Sequence, residues 1–148
     1  MGAPVDPTQL AATPVRIAGS ALPPPIVSYR GRVWQLEAPY GYDDGGTRLT
    51  VPAGFAFDLA SIPRLFWPLV APFELSIAAP LLHDFLYRYA GEPPPPGVVP
   101  PRRYTRSEAD RLFREVMGAE GVAAWRRHAA WAAARAFGGR AWGRAPAA

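Results

Sequence analysis

The sequence predicts an α+β domain, with a small antiparallel sheet or pair of hairpins on the N-terminal side and about four helices after it. Three observations carry that expectation. β-favouring residues alternate in "IVSYRGRVWQLE" (26–37) and return in "RLTVPAGFAFD" (48–58). From about residue 58 the pattern becomes helical instead. The strand region precedes the helical region without interleaving, so a parallel β-α-β sheet is not expected.

Residues 1–25 are rich in Pro, Ala and Thr without a clear period, and are expected to form an extended arm. Val33, Trp34 and Leu36 then mark a strand, with Gly31 as a turn. Asp44-Gly45-Gly46 is a strong turn signal between strands. At 58–70, Ser61 can cap a short helix that accepts Pro63 in its first turn and stops at Pro68. A second helix is expected over 72–91. Pro80 either starts its regular part or kinks it, and Gly91 ends it.

In the third helix, 104–121, Thr105 and Glu108 have the spacing of a capping box. Ala109, Leu112, Phe113, Val116 and Met117 follow as an apolar stripe. The last helix, 122–139, ends at the pair Gly138-Gly139. Trp125, Ala129 and Ala132 are spaced to bury one of its sides, and Trp142 in "GRAWGR" is expected at the surface. The globular domain is therefore placed at 26–143, with 144–148 as a tail. Three proline clusters (22–25, 92–96 and 98–103) read as extended connectors.

Composition narrows the function classes. The chain has 148 residues, 49% hydrophobic and 19% charged, which suits one domain with a real core. Cysteine is absent, which excludes disulfides, thiolate metal sites and thiol nucleophiles. No apolar run reaches the roughly 18 residues of a membrane span. The opening residues lack a basic start followed by an apolar core, so a secretory leader is not expected and synthesis is placed in the cytoplasm. Neither G-x-G-x-x-G nor G-x-x-x-x-G-K occurs, so no phosphate-cradling loop is expected.

All 16 basic residues are arginines and the net charge is +4. The basic residues concentrate late, in "RRYTR", "WRRH" and "GGRAWGR". Such a region suits an acidic protein partner, anionic lipid or nucleic acid, or is a solvated helix face. Nucleic acid is the least expected partner, because the basic and aromatic residues follow no recognised motif order.

"PLLHDFLYRYAG" (80–91) carries the chemistry. On a helix His83 and Tyr87 share a face, and Asp84 lies about 100° round from His83. His83 can serve as a general base, since imidazole titrates near neutrality. Asp84 can hold a cation or steer a water. A base needs an acid on its other ring nitrogen, and both Asp58 and Asp110 are candidates. A plainer alternative stands beside this one. His83 is then a satisfied core histidine, Asp84 accepts backbone amides or an arginine such as Arg64, and Tyr87 is a core aromatic. Ser61 is no convincing nucleophile, lacking a G-x-S-x-G elbow.

"LTVPAGFAFDLASIPRLFW", then "LLHDFLYR", then "SEADRLFREVM" together resemble a phage- and prophage-encoded family called domain of unknown function 1353, over about residues 48–143. That resemblance implies a tailed-phage setting: a virion or tail-assembly protein made in the host cytoplasm and carried in the particle. Its partners would be other virion proteins, met through the arm and the basic C-terminal region. "HDFLY" and "ADRLF" are also similar to the paired helices of secreted phospholipases A2. This second resemblance implies a hydrolase acting on lipid or cell envelope. His83 would activate water, Asp84 would bind Ca²⁺ with Asp58 in the preceding loop, Asp110 would orient His83, and Tyr87 would support Asp110. The chain departs from the phospholipase pattern in having no cysteine and one glycine in "VPAGFAFDLAS".

Overall fold

The computed structural model of the chain describes residues 27–30, 33–57 and 78–144. The expected arm, the expected helix at 58–70 with Asp58, Ser61 and Arg64, the start of the second expected helix and residues 145–148 lie outside the described residues. Within them the architecture is α+β, with antiparallel strands first and helices after.

Strands β1 (Val27–Arg30), β2 (Val33–Leu36) and β5 (Ala56–Phe57) form one sheet in the order β1-β2-β5. Strands β3 (Tyr40–Asp44), β4 (Thr47–Val51) and β6 (Val98–Val99) form another in the order β3-β4-β6. All the pairings are antiparallel. The β3–β4 hairpin turns on Gly45 and Gly46, with φ of 59° and 95°. Two successive positive φ values match the right-handed twist of the flanking strands. Asp43 Oδ1 accepts the Gly46 amide at 2.9 Å and tightens the turn. Thr47, Leu49 and Val51 alternate inward along β4.

Strand β6 was not expected, because it sits inside the proline-rich connector. Val98 and Val99 pair with Leu49 and Arg48 on the open edge of β4. The two valines lie between prolines, which an edge strand tolerates and an interior one does not.

Among the described residues the helices are α1 (Ala78–Arg88), α2 (Arg106–Ala119) and α3 (Ala124–Phe137), with a 3-10 turn at Gly138–Arg140. Residues Ala78 to Tyr87 of α1 are all buried. A helix that is covered all round must run through the centre of the domain. Accordingly α1 touches β4 and β5 on one side and packs on α2 on the other, and α2 packs in turn on α3. The capping box at the start of α2 is complete. Thr105 Oγ1 accepts the Glu108 amide at 3.1 Å, and Glu108 Oε2 accepts the Thr105 amide at 2.8 Å. The expected stripe from Ala109 to Met117 is buried.

Two expectations on the C-terminal side are corrected. Helix α3 buries Ala130, Ala133 and Ala134, whereas Trp125 is 61% exposed and Ala132 is also outside. Arg135 reaches Asp110 on α2, and that contact turns the helix away from the expected stripe. Trp142 is partly buried rather than fully exposed. Its ring meets Tyr87 edge-on at 5.0 Å, and the next amide, Gly143 N–H, donates to the Tyr87 carbonyl. The C-terminal turn thus covers the end of α1.

Gly91 closes α1 where no side chain fits. Its φ is 83°, and a Cβ there would lie 1.8 Å from the Tyr104 carbonyl oxygen. We expect Gly91→Ala to lower unfolding free energy in urea by more than ~2 kcal/mol. Gly45→Ala, which meets no atom within 4 Å, should cost only about 1 kcal/mol for its backbone conformation.

Candidate functional site

One buried carboxylate gathers three donors. Helix α1 carries His83 and Tyr87 one turn apart on the side that faces α2, and α2 presents Asp110 to both. His83 Nε2 lies 2.7 Å from Asp110 Oδ1, and the Tyr87 hydroxyl donates to the same oxygen at 2.5 Å. Arg135 Nη1, arriving from α3, donates to Asp110 Oδ2 at 2.9 Å. His83 and Asp110 are both 0% exposed. The imidazole lies between the rings of Tyr87 (4.2 Å) and Phe113 (4.4 Å).

Burial pushes the Asp110 carboxyl up, but the hydrogen bonds from His83, Tyr87 and Arg135 outweigh it and hold the group below its ordinary 3.8. The carboxylate is therefore ionised at neutral pH and can only accept. It follows that His83 Nε2 carries a hydrogen and donates it to Asp110. Tyr87 is held well above its ordinary value by burial and then by its bond to Asp110, so it remains a donor.

Asp84 diverges from this cluster, as helix geometry requires of adjacent residues. Its Oδ1 is 3.9 Å from His83 Nδ1, beyond hydrogen-bond distance. At 8% exposed it is the member of the constellation nearest to solvent. Asp58 lies outside the described residues. Among those described, no three His, Cys, Asp or Glu side chains gather to hold a metal. A Ca²⁺ shell needs six to eight oxygens, so the described residues alone do not make the site that the phospholipase resemblance implies.

The structure thus brings together His83, Tyr87 and Asp110, leaves Asp84 at their margin, and adds Arg135. Sequence reasoning missed Arg135. A faint signal existed, since it is an isolated arginine in a run of alanines, next to the buried Ala133 and Ala134. Phe113 was expected only as core, and it also forms one wall of the imidazole.

A depressed carboxylate stabilises the fold above its ordinary pKa, and that contribution is lost as pH falls through the lower folded value. Unfolding free energy should therefore decline below about pH 3.8 in wild type, and less steeply in Asp110→Asn. Asp110→Ala strands Arg135 and the two ring donors, and should cost about 3–5 kcal/mol at neutral pH. Urea titrations at several pH values check both.

Residues 34–134 match the family described as "Protein of unknown function (DUF1353)". A curated protein from Sinorhizobium fredii, "Uncharacterized protein y4jT", is 28% identical to the chain over 109 residues. The match covers 72% of the chain and 29% of that relative, so the chain spans less than a third of the relative's length. No solved structure matches the chain significantly. Two thirds of the sequence, including His83, Asp84, Tyr87 and Asp110, fall inside the family match, and the chain belongs to the DUF1353 family.

Proposed function

We propose that this chain is an ester hydrolase in which His83 is the general base, acting on lipid or cell-envelope substrates. The observation that carries the reading is the 2.7 Å contact between His83 Nε2 and an ionised, three-donor Asp110. That contact orients the ring and stabilises the imidazolium formed when Nδ1 takes a proton. Because His83 is 0% exposed, the reaction requires the Asp84 side of the ring to open to water and substrate. Nδ1 then removes a proton from water and the water oxygen attacks the ester carbonyl carbon. The carbon–oxygen bond to the leaving group then breaks. The imidazolium returns its proton to the departing alkoxide, giving a carboxylic acid and an alcohol. Asp84, on the Nδ1 side and closest to solvent, steers the water.

A second reading, compatible with the first, places the chain in a tailed-phage particle. Two exposed apolar side chains support it, Trp125 and Phe137, the latter 55% exposed. They sit at opposite ends of α3 in the basic C-terminal region, where a virion partner would cover them.

For the first reading, ester and phospholipid hydrolysis by the purified protein should fall at least 100-fold in His83→Gln, with circular dichroism unchanged. Undiminished turnover in that variant, or no turnover by wild type on either substrate class, would exclude His83 as the base. For the second, mass spectrometry of purified particles should find the chain. Its absence from particles and from assembly intermediates would remove the particle reading.

A further inference from the structure

We infer that the pocket between α2, α3 and β3 is an anion site that takes a phosphate group, free or within a phosphoester. It is lined by Arg114, Glu115 and Gly118 from α2, by Arg127 and His128 from α3, and by Tyr42 from β3, and it encloses about 550 Å³. None of His83, Asp84, Tyr87 and Asp110 lines it. The basic run "WRRH", which the His83 chemistry leaves unused, supplies the α3 wall through Arg127 and His128.

The two arginines are held in place. Arg127 Nη1 donates to the Val122 carbonyl at 3.1 Å. Its guanidinium lies against Gly118, where a Cβ would stand 3.4 Å from Nη1. Arg114 rests on the face of Trp131, 4.6 Å from the ring centre. Each guanidinium has five donors in a planar fork, and one anchoring contact leaves others for a ligand. Arginines already fixed lose little freedom on binding, and their forks match the oxygens of a phosphate.

The charge balance favours an anion. The acid in the lining, Glu115, is paired with Arg111 at 2.8 Å. After Glu120 the sequence has no Asp or Glu, against five arginines. Burial, then Asp44, Glu115 and Asp43, raise the Tyr42 phenol, so it keeps its hydrogen and can donate. A concave site walled by three elements suits a single anionic group better than the repeating backbone of a nucleic acid, which needs an extended track.

Calorimetry at low salt with sodium pyrophosphate tests the free anion, and co-sedimentation with phosphatidylcholine vesicles, with and without phosphatidic acid, tests a lipid headgroup. Arg114→Gln should weaken binding at least tenfold, whereas Arg140→Gln, exposed and outside the pocket, should leave it unchanged. Arg127→Lys keeps the charge, loses the fork, and should also weaken binding. Should Arg114→Gln not fold, Arg114→Lys is read instead. Binding of pyrophosphate that needs Arg114 assigns a soluble phosphoester, and binding of phosphatidic acid vesicles that needs Arg114 assigns a headgroup. Absence of binding in both arms, or equal loss in the Arg114 and Arg140 variants, would overturn the site.

Discussion

A carboxylate with no access to water must find its hydrogen bonds inside the protein, and Asp110 finds three of them on two other helices. The requirement is strict, because an ionised group left unpaired in the interior costs several kcal/mol. Each donor is consequently tied to a position. His83 and Tyr87 fix the face that α1 turns to α2, and Arg135 fixes the rotation of α3. Replacing such a network with apolar groups can leave a fold equally stable. Its contribution here is to select one arrangement of the three helices.

The rest of the helical layer follows that selection. With Arg135 aimed at Asp110, the small Ala130, Ala133 and Ala134 come to lie inside, and Trp125 is left outside. The same rotation sets Arg127 beside Gly118 and Trp131 under Arg114, which builds the basic pocket. At the other end, the Tyr87 backbone receives the Gly143 amide while its ring receives Trp142. Tyr87 therefore links the buried carboxylate to the C-terminal turn.

Local signals were legible in the sequence where a short stretch determines the outcome. The Asp-Gly-Gly turn, the Thr105–Glu108 capping box and the stripe from Ala109 to Met117 each depend on residues within a few positions. The shared face of His83 and Tyr87 is likewise a matter of helical spacing, and Asp110 could be named as a partner because α1 and α2 are consecutive. What was not legible depends on residues distant in sequence. Arg135 is 25 positions from its acid, and helical periodicity alone did not choose between the Trp125 side of α3 and the Ala130 side. Strand β6 needed the free edge of β4, which lies about fifty residues earlier.

The same network that orders the helices also defines the chemistry proposed for His83. An ionised acceptor at Nε2 places a ring hydrogen there, and the proposed chemistry assigns proton uptake to Nδ1, on the Asp84 side. Burial between two aromatic rings holds the imidazole in one orientation. The most direct measurement is nitrogen-15 NMR of the imidazole in the folded protein at neutral pH. An ionised Asp110 at Nε2 requires the tautomer with hydrogen on Nε2, coupled to a slowly exchanging proton that is lost in Asp110→Ala. A ring found with its hydrogen on Nδ1, or indifferent to Asp110, would contradict it.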